Sequence, residues 1–280
     1  TLPAGLEHML DGVERRALRS LTTFERDAAV TAWIYLDRNT QGTGLVNSVD
    51  GFPSTTLWDQ GSFLLGLAAG QRLGLIAPDD FAQRVQRNLN ALQTVPLFDK
   101  SLPNKVYNTR TLAPVNYANE VVDGGIGWSA LDIGRYLSAL SVVVRLEPSL
   151  YPAARELLSN WDMEQLESGG EMNGATIVSD VPTKVQEGRI GYEQYAARGV
   201  SLWGYDVIRA ADFWGRLHVK WRDGYPIPVD LRTYETHEAI DMITSEPFFL
   251  HALEFGINGP MALMIPHIFA LQKNRSKDVG

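Results

Sequence analysis

Apolar and polar positions along the chain form two kinds of helical pattern that follow one another. Residues 57–75 are apolar nearly all round, which is typical of a helix buried on most sides. Residues 78–92 begin with a proline and two aspartates, a signal for a helix start. Their apolar residues then fall three or four positions apart, at Phe81, Val85, Leu89 and Leu92. This spacing predicts an amphipathic helix, so a buried inner helix is followed by an outer one.

The same pair of patterns recurs further along the chain. Residues 127–144 predict a second buried helix, and residues 148–158 a second amphipathic one. Residues 191–208 and 245–256 are again mostly apolar or aromatic, and long polar loops precede the buried helices. Few segments alternate with the period of two that a half-buried strand shows. The sequence therefore predicts an all-α fold, an α/α toroid in one domain over residues 1–280, with a conventional helix bundle as the alternative.

The predicted ring is short of helices. A toroid with six inner helices needs more chain than 280 residues arranged in this way. We expect its last helices to lie outside this sequence, because residues 272–280 end without closing a ring.

Composition and charge narrow the class of protein. The chain has 45% hydrophobic and 21% charged residues, which is a globular composition, and it has no cysteine for thiol catalysis or cysteine-bound zinc. Its formal net charge of −8 argues against a nucleic-acid partner, which usually meets a basic face. The most apolar run, residues 261–271, is shorter than the roughly 20 residues of a membrane span and contains Pro266. The first residues do not form a signal peptide, which we expect to be absent or removed.

Aromatic and acidic residues occur together at the starts of the predicted buried helices. Acids in a first helical turn are favoured by the helix dipole whatever the function. A toroid, however, would bring these helix starts together at one end, where aromatic rings stack on sugars and carboxyl groups bind hydroxyls or move protons. The residues concerned are Trp58 with Asp59, Trp128 with Asp132, Tyr192 and Tyr195 with Glu193, and Glu246.

Two carboxyl groups are what glycoside hydrolysis requires, one as an acid and one as a base or nucleophile. Glu193 is the first choice for the acid, because the neighbouring tyrosines would partly desolvate it; the alternative is an ion pair with Arg189 or Arg198. The second carboxylate stays open among Asp59, Asp123, Glu235 and Glu246. Asp123 lies in a glycine-rich loop that could approach a substrate, although an ordinary turn aspartate is the alternative.

The remaining polar candidates have structural alternatives. Arg135 and Tyr234 are candidate substrate-binding residues, but Arg135 follows Asp132 by three positions, which favours an ion pair within one helix. His237, Glu238 and Asp241 are close together, yet no paired-histidine motif accompanies them. We therefore predict no catalytic metal and no cofactor; phosphate-loop and dinucleotide-binding fingerprints are absent as well.

Four segments resemble one bacterial family. They are TAWIYLDRNTQGTGLVNSVDGFPSTTLWDQGSFLLGLAAGQRLGLI (31–76), GWSALDIGRYLSAL (127–140), VQEGRIGYEQYAARGVSLWG (185–204) and TSEPFFLHALEFG (244–256). The chain resembles the glucoamylase-like family of domains of uncharacterised function, which is similar to endo-β-1,2-glucanases and to the cyclising domain of cyclic β-1,2-glucan synthases. The resemblance implies an (α/α)6 toroid with its active site at the helix-start end, in a periplasmic or secreted enzyme.

The sequence thus supports three hypotheses of different classes. The first is a glycoside hydrolase or transglycosylase that acts on a bacterial β-glucan or exopolysaccharide. The second is a non-catalytic carbohydrate-binding module that uses the same aromatic residues. The third is a polysaccharide lyase, for which an acidic chain is less suited because its substrate would be a polyanion.

Overall fold

The computed structural model describes residues 19–237, 243–257 and 259–279. Helices dominate this part of the chain. Their bounds are α1 Thr23–Asn39, α2 Leu57–Arg72, α3 Pro78–Thr94, α4 Ala130–Leu146, α5 Tyr151–Ser159, α6 Tyr192–Ser201, α7 Tyr234–His237, α8 Glu246–Glu254 and α9 Met261–Val279. Short 3-10 turns lie at Pro148–Leu150, Met163–Leu166 and Trp214–Arg216.

Helices α2, α4, α6 and α8 form a row in which each helix packs on the next, and α3 and α5 form a second layer against α2 and α4. The first three helices of the row begin close to the residues that the apolar pattern indicates, and α8 begins at Glu246. The prediction that α3 is amphipathic is also confirmed, because the four apolar residues that define its periodic face are buried. The helical fold class is therefore confirmed, as inner helices with amphipathic neighbours.

Glycines allow the helices of the row to lie close together. A Cβ atom on Gly134 of α4 would lie 2.5 Å from the Cα atom of Ala196 in α6. A Cβ atom on Gly199 of α6 would lie 2.2 Å from the backbone oxygen of Gly134. Real Cβ atoms do not approach other atoms so closely, so larger residues would push α4 and α6 apart.

Strands form a larger part of the structure than the sequence pattern predicts. Between α5 and α6, β6 (Glu171–Val178) pairs antiparallel with β7 (Val181–Gln186), and β5 (Glu167–Ser168) pairs with the start of β6. After α6, β8 (Leu217–Arg222) and β9 (Tyr225–Asp230) form a second hairpin. Four short strands precede α4: β1 Ser54–Thr55, β2 Leu97–Phe98, β3 Leu102–Pro103 and β4 Tyr107–Asn108. The expectation of an all-α chain is therefore wrong in detail, since hairpins interrupt the helices.

The apolar interior has two parts. The larger core lies among helices α2 to α6 and includes Phe63, Leu89 and Tyr136. A smaller core around Phe248 and Ile265 joins α8 and α9 to the second hairpin. Among the described residues, no helix is long and apolar enough to cross a membrane.

Candidate active site

The starts of α2 and α4 are fixed by local hydrogen bonds that also orient their acidic residues. Thr56 caps α2, and one oxygen of Asp59, Oδ2, accepts hydrogen bonds from the Thr56 amide at 2.9 Å and from the Ser48 hydroxyl. Ser129 caps α4, and its hydroxyl accepts a hydrogen bond of 3.1 Å from the Asp132 amide. Both arrangements follow from short polar residues placed just before a helix.

Asp59, Asp132 and Glu187 form a group of carboxyl groups at these helix starts, which we name the acidic cluster. Burial raises the pKa of Asp132 to about 7, and the negative charges of Glu187 and then Asp59 add to the shift. The Ser129 hydroxyl and the Lys105 ammonium group oppose it. Asp132 therefore keeps its proton to a higher pH than an ordinary aspartate does, as an acid catalyst requires.

Glu187 reaches the cluster from the loop between β7 and α6. Its Oε2 atom accepts a hydrogen bond of 2.6 Å from the Ala130 amide, at the start of α4. Burial raises the pKa of Glu187, while the Ser129 hydroxyl, the Ala130 amide and Lys105 oppose the shift. Two carboxyl groups thus share one helix start, and burial raises the pKa of both.

Aromatic rings stand beside the acidic cluster. The ring of Trp58, next to Asp59 in sequence, lies edge-on to the ring of Tyr192 with 5.6 Å between centroids. Both side chains are partly exposed, and we name this pair the aromatic wall. The Tyr192 hydroxyl donates a hydrogen bond to Glu246 at the start of α8. Burial and this hydrogen bond raise the pKa of Tyr192 to about 12, so its hydroxyl stays protonated and can donate.

A buried ion pair lies behind the aromatic wall. Arg135 of α4 forms a salt bridge with Glu254 of α8, and its guanidinium group lies 5.5 Å from the Trp58 ring centroid. The Tyr195 hydroxyl accepts a hydrogen bond from Arg135 and donates one of 2.6 Å to Glu254. Arg135 is buried and pairs with α8, so the ion pair with Asp132 that the sequence spacing favours is not formed.

Glu193, the first choice for the acid from sequence, does not belong to the acidic cluster. Its side chain is fully buried, and one oxygen accepts a 2.9 Å hydrogen bond from the Met172 amide. The other oxygen accepts a 2.6 Å hydrogen bond from Arg232, which also bonds Asp230. The carboxylate is held by β6 and the segment after β9, so the ion-pair alternative applies, although with a different arginine.

Two aromatic candidates are also buried. Trp128 is 3% exposed, and its indole nitrogen donates a hydrogen bond of 3.1 Å to the Asn173 carbonyl. Tyr195 has no exposed surface. A ring without exposed surface cannot stack on a sugar, so these two residues support the site from within the core.

The other candidates are spread over the surface. Asp123 is exposed in the turn closed by the hydrogen bond from the Gly125 amide to the Val122 carbonyl. Tyr234 is 68% exposed on α7, and Glu235 accepts a hydrogen bond of 2.6 Å from the Thr233 hydroxyl. The structure does not join these residues to the acidic cluster.

The structure offers no metal centre in the part of the chain that it describes. The residues from 19 to 237, 243 to 257 and 259 to 279 contain no group of three or more potential ligands placed to hold an ion. The segment with Glu238 and Asp241, considered above for a metal, lies outside the described residues.

Two important carboxylates were not predicted from sequence. Glu187 is distant in sequence from the start of α4, and Glu254 lies at the end of α8, so both reach the site only through the fold. For Glu187 the available signal was its place just before a predicted buried helix, in the segment VQEGRIGYEQ. For Glu254, at the end of a helix, the sequence offers no comparable signal.

This helical fold is similar to that of proteins described as putative glucoamylases. One structure, from Bacteroides uniformis, is 12% identical with a TM-score of 0.50 over 77% of this chain and 57% of its own. Another, from Bacteroides fragilis, is 14% identical with a TM-score of 0.48 over 78% of this chain and 57% of its own. The chain thus spans little more than half the length of these neighbours. The first likeness shows a shared helical fold.

By sequence, the chain belongs to the family of proteins of unknown function named DUF3131, whose profile matches residues 27–280. No curated protein sequence matches it.

Proposed function

We propose that the chain is a glycoside hydrolase or transglycosylase that acts on a bacterial β-glucan or exopolysaccharide. The observation that supports this most is the acidic cluster beside the aromatic wall, at the starts of α2, α4 and α6. A pair of carboxyl groups next to partly exposed aromatic rings supplies the parts that cleavage of a glycosidic bond needs. We further propose that the row α2, α4, α6 and α8 is part of an (α/α)6 toroid in a single domain, and that the protein works in the periplasm or outside the cell.

Asp132 is the acid in this proposal. Its pKa of about 7 leaves a proton available for the leaving-group oxygen at neutral pH. The pKa of Asp132 is raised for two reasons, because burial and the negative charge of Glu187 both disfavour the ionised carboxylate. Asp132 thus takes the role that the sequence first suggested for Glu193.

The second carboxylate is Glu187 or Asp59. Glu187 accepts a hydrogen bond from the Ala130 amide. Asp59 accepts hydrogen bonds at its Oδ2 atom from Ser48 and from the amide and hydroxyl of Thr56. The ionised carboxylate of either residue is chemically suited to activate a water or to attack the sugar. Single substitutions distinguish the two, because only the residue in contact with the sugar would supply this step.

The charges around the site favour an uncharged sugar. Three carboxyl groups belong to the cluster, and Lys105 is the cation whose charge acts on Asp132 and Glu187. A uronate would add a further negative charge beside the cluster, which costs electrostatic free energy. This balance favours a neutral glucan over the polyanionic substrate of a lyase.

The test is an assay of new reducing ends against linear β-1,2-glucan, β-1,3-glucan, cellulose oligomers and α-glucans. Products from one β-glucan, lost in an Asp132→Asn variant, are the expected result. Binding by calorimetry without new reducing ends would contradict the hydrolase and support a binding module. A product that absorbs in the ultraviolet would instead indicate a lyase.

A further inference from the structure

A small hairpin precedes α4 and carries an exposed tyrosine at its tip. Val115 and Val121 form an antiparallel bridge, and Tyr117 lies in the turn between them with 69% of its surface exposed. No hydrogen bond joins its hydroxyl to the residues that the structure describes. A large ring held out in this way buries little apolar surface, so it adds little to the stability of the fold.

Hydrogen bonds make this turn rigid. The Asn116 side-chain oxygen accepts the amides of Ala118 and Glu120 at 3.0 Å each, and its amide group donates to the Glu120 carboxylate at 2.8 Å. Asn119 adopts a left-handed backbone with a φ of 64°, which asparagine tolerates better than most residues. Its side chain accepts a hydrogen bond of 3.1 Å from Asn108 in β4. The tip is therefore fastened to the body of the protein.

The base of the hairpin is joined to the start of α4. Asn104 donates hydrogen bonds to the carbonyls of Val106 and Val115 and accepts one of 2.7 Å from the Ile126 amide. The amide of its neighbour Lys105 donates a 2.7 Å hydrogen bond to the Gly127 carbonyl, two residues before Ser129.

The hairpin and the acidic cluster therefore share the same end of α4. In agreement, partial desolvation of the phenol, together with the negative charges of Asp132 and Glu187, raises the pKa of Tyr117.

We propose that Tyr117 is a sugar-binding platform of this site, distinct from the aromatic wall. Its ring is exposed, its backbone is fixed in advance, and it lies on the Asp132 side of the cluster, whereas Trp58 adjoins Asp59. An aromatic ring held rigidly binds the face of a pyranose at little cost in conformational entropy. The two aromatic positions would bind different sugar units of one chain. This inference rests on the proposed carbohydrate substrate.

The test compares Tyr117→Ala and Tyr117→Phe with Trp221→Ala, which removes another exposed ring, on β8 and 70% exposed. For the saccharide that the wild type cleaves, we expect Tyr117→Ala to raise KM about 5- to 10-fold with kcat within about twofold. Tyr117→Phe and Trp221→Ala should keep the wild-type KM. A KM in Tyr117→Ala that equals that of Trp221→Ala would overturn the proposal.

A binding measurement separates this inference from the proposed function. Calorimetry with an oligosaccharide uses Asp132→Asn as the background, with and without Tyr117→Ala. If the wild type binds but does not cleave, and Tyr117→Ala weakens binding about 5- to 10-fold, the platform stands and the hydrolase fails. If the wild type cleaves the oligosaccharide, but Asp132→Asn binds it equally tightly with and without Tyr117→Ala, then only the proposal for Tyr117 is contradicted. If the wild type neither binds nor cleaves any member of the panel, both fail.

Discussion

Asp132 and Glu193 are acids in the first turns of neighbouring helices, and the fold treats them in opposite ways. Glu193 meets Arg232 and a backbone amide, so its negative charge is fully compensated in the interior. Asp132 meets no arginine in the described part of the chain; its neighbours include Glu187 and Asp59. Two acids in the first turns of their helices are thus paired with an arginine in one case and placed beside other carboxyl groups in the other, where we propose that Asp132 donates a proton.

The difference comes from the elements that cover each helix start. The hairpin β8–β9 places Arg232 and Asp230 against α6, and β6 supplies the Met172 amide. At α4, the covering segment is the loop with Glu187, which adds a second acid. A carboxyl group near an arginine ionises readily, whereas one near another carboxylate keeps its proton.

The largest expected effect is the loss of turnover in Asp132→Asn. Asparagine keeps the size of the side chain but cannot transfer a proton, so kcat should fall by about 10²–10⁴-fold. Asp180→Asn, in the exposed turn between β6 and β7, makes the same chemical change away from the cluster and should leave kcat unchanged. If kcat falls by less than about tenfold in Asp132→Asn, then Asp132 is not the acid catalyst, and it does not differ from Glu193 in function.

Glu193→Gln should affect stability rather than chemistry. The change removes one of the charged partners of Arg232 at a buried position, and hydrogen bonds to charged groups contribute about 1.5–3 kcal/mol. The free energy of unfolding in urea should fall by about that amount, while the folded enzyme keeps its kcat. Glu156→Gln on the exposed surface of α5 is the matched control and should change neither quantity. Loss of turnover without loss of stability would return the role of acid to Glu193.

The sequence was sufficient for the helices α2 to α6 and α8, because each has a clear apolar pattern. It was insufficient for the hairpins, although one signal was present: Asp223–Gly224 is a typical two-residue hairpin turn between LHVKWR and YPIPVD. The hairpin β6–β7 has a weaker signal, because its turn residues Ser179 and Asp180 are not glycines yet adopt left-handed backbones.

The candidate site was predictable only in part, and for a physical reason. Periodicity places residues on a helix start, and the structure indeed brings Trp58, Asp59, Asp132 and Tyr192 to one end of the helices. Whether an acid there is compensated depends on residues far along the chain, such as Arg232 for Glu193 and Glu187 for Asp132. Such partners are chosen by the tertiary fold, so a single sequence could not separate the two acids.

The pH dependence of kcat offers a sharper test of the Asp132 environment. As its proton is lost through a pKa of about 7, activity should fall about tenfold per pH unit above that point. Removing the neighbouring charge in Glu187→Gln should lower the pKa of Asp132, because one of the forces that raise it is gone. The alkaline limb of the profile should then move on the order of one unit toward lower pH.

The control for this shift is again Asp180→Asn, whose limb should stay in place. If Glu187 is also the second carboxylate, Glu187→Gln will lose most of its turnover, and the limb is then read from the residual activity. A limb that does not move would mean that Glu187 does not set the proton affinity of Asp132.

Tyr192→Phe gives the smallest expected effect and tests the two faces of α6. Tyr192 and Glu193 are consecutive, yet Tyr192 faces Trp58 and Glu246 while Glu193 faces Arg232. Phenylalanine keeps the ring beside Trp58 and loses the hydrogen bonds that the hydroxyl forms with Glu246 and Thr244, so the free energy of unfolding should fall by about 0.5–1.5 kcal/mol. KM should change less than threefold and kcat should stay constant, because no proton of the reaction passes through this hydroxyl. A large fall in kcat would instead place Glu246, whose carboxylate Tyr192 holds, among the reacting groups and move the chemistry from α4 toward α8.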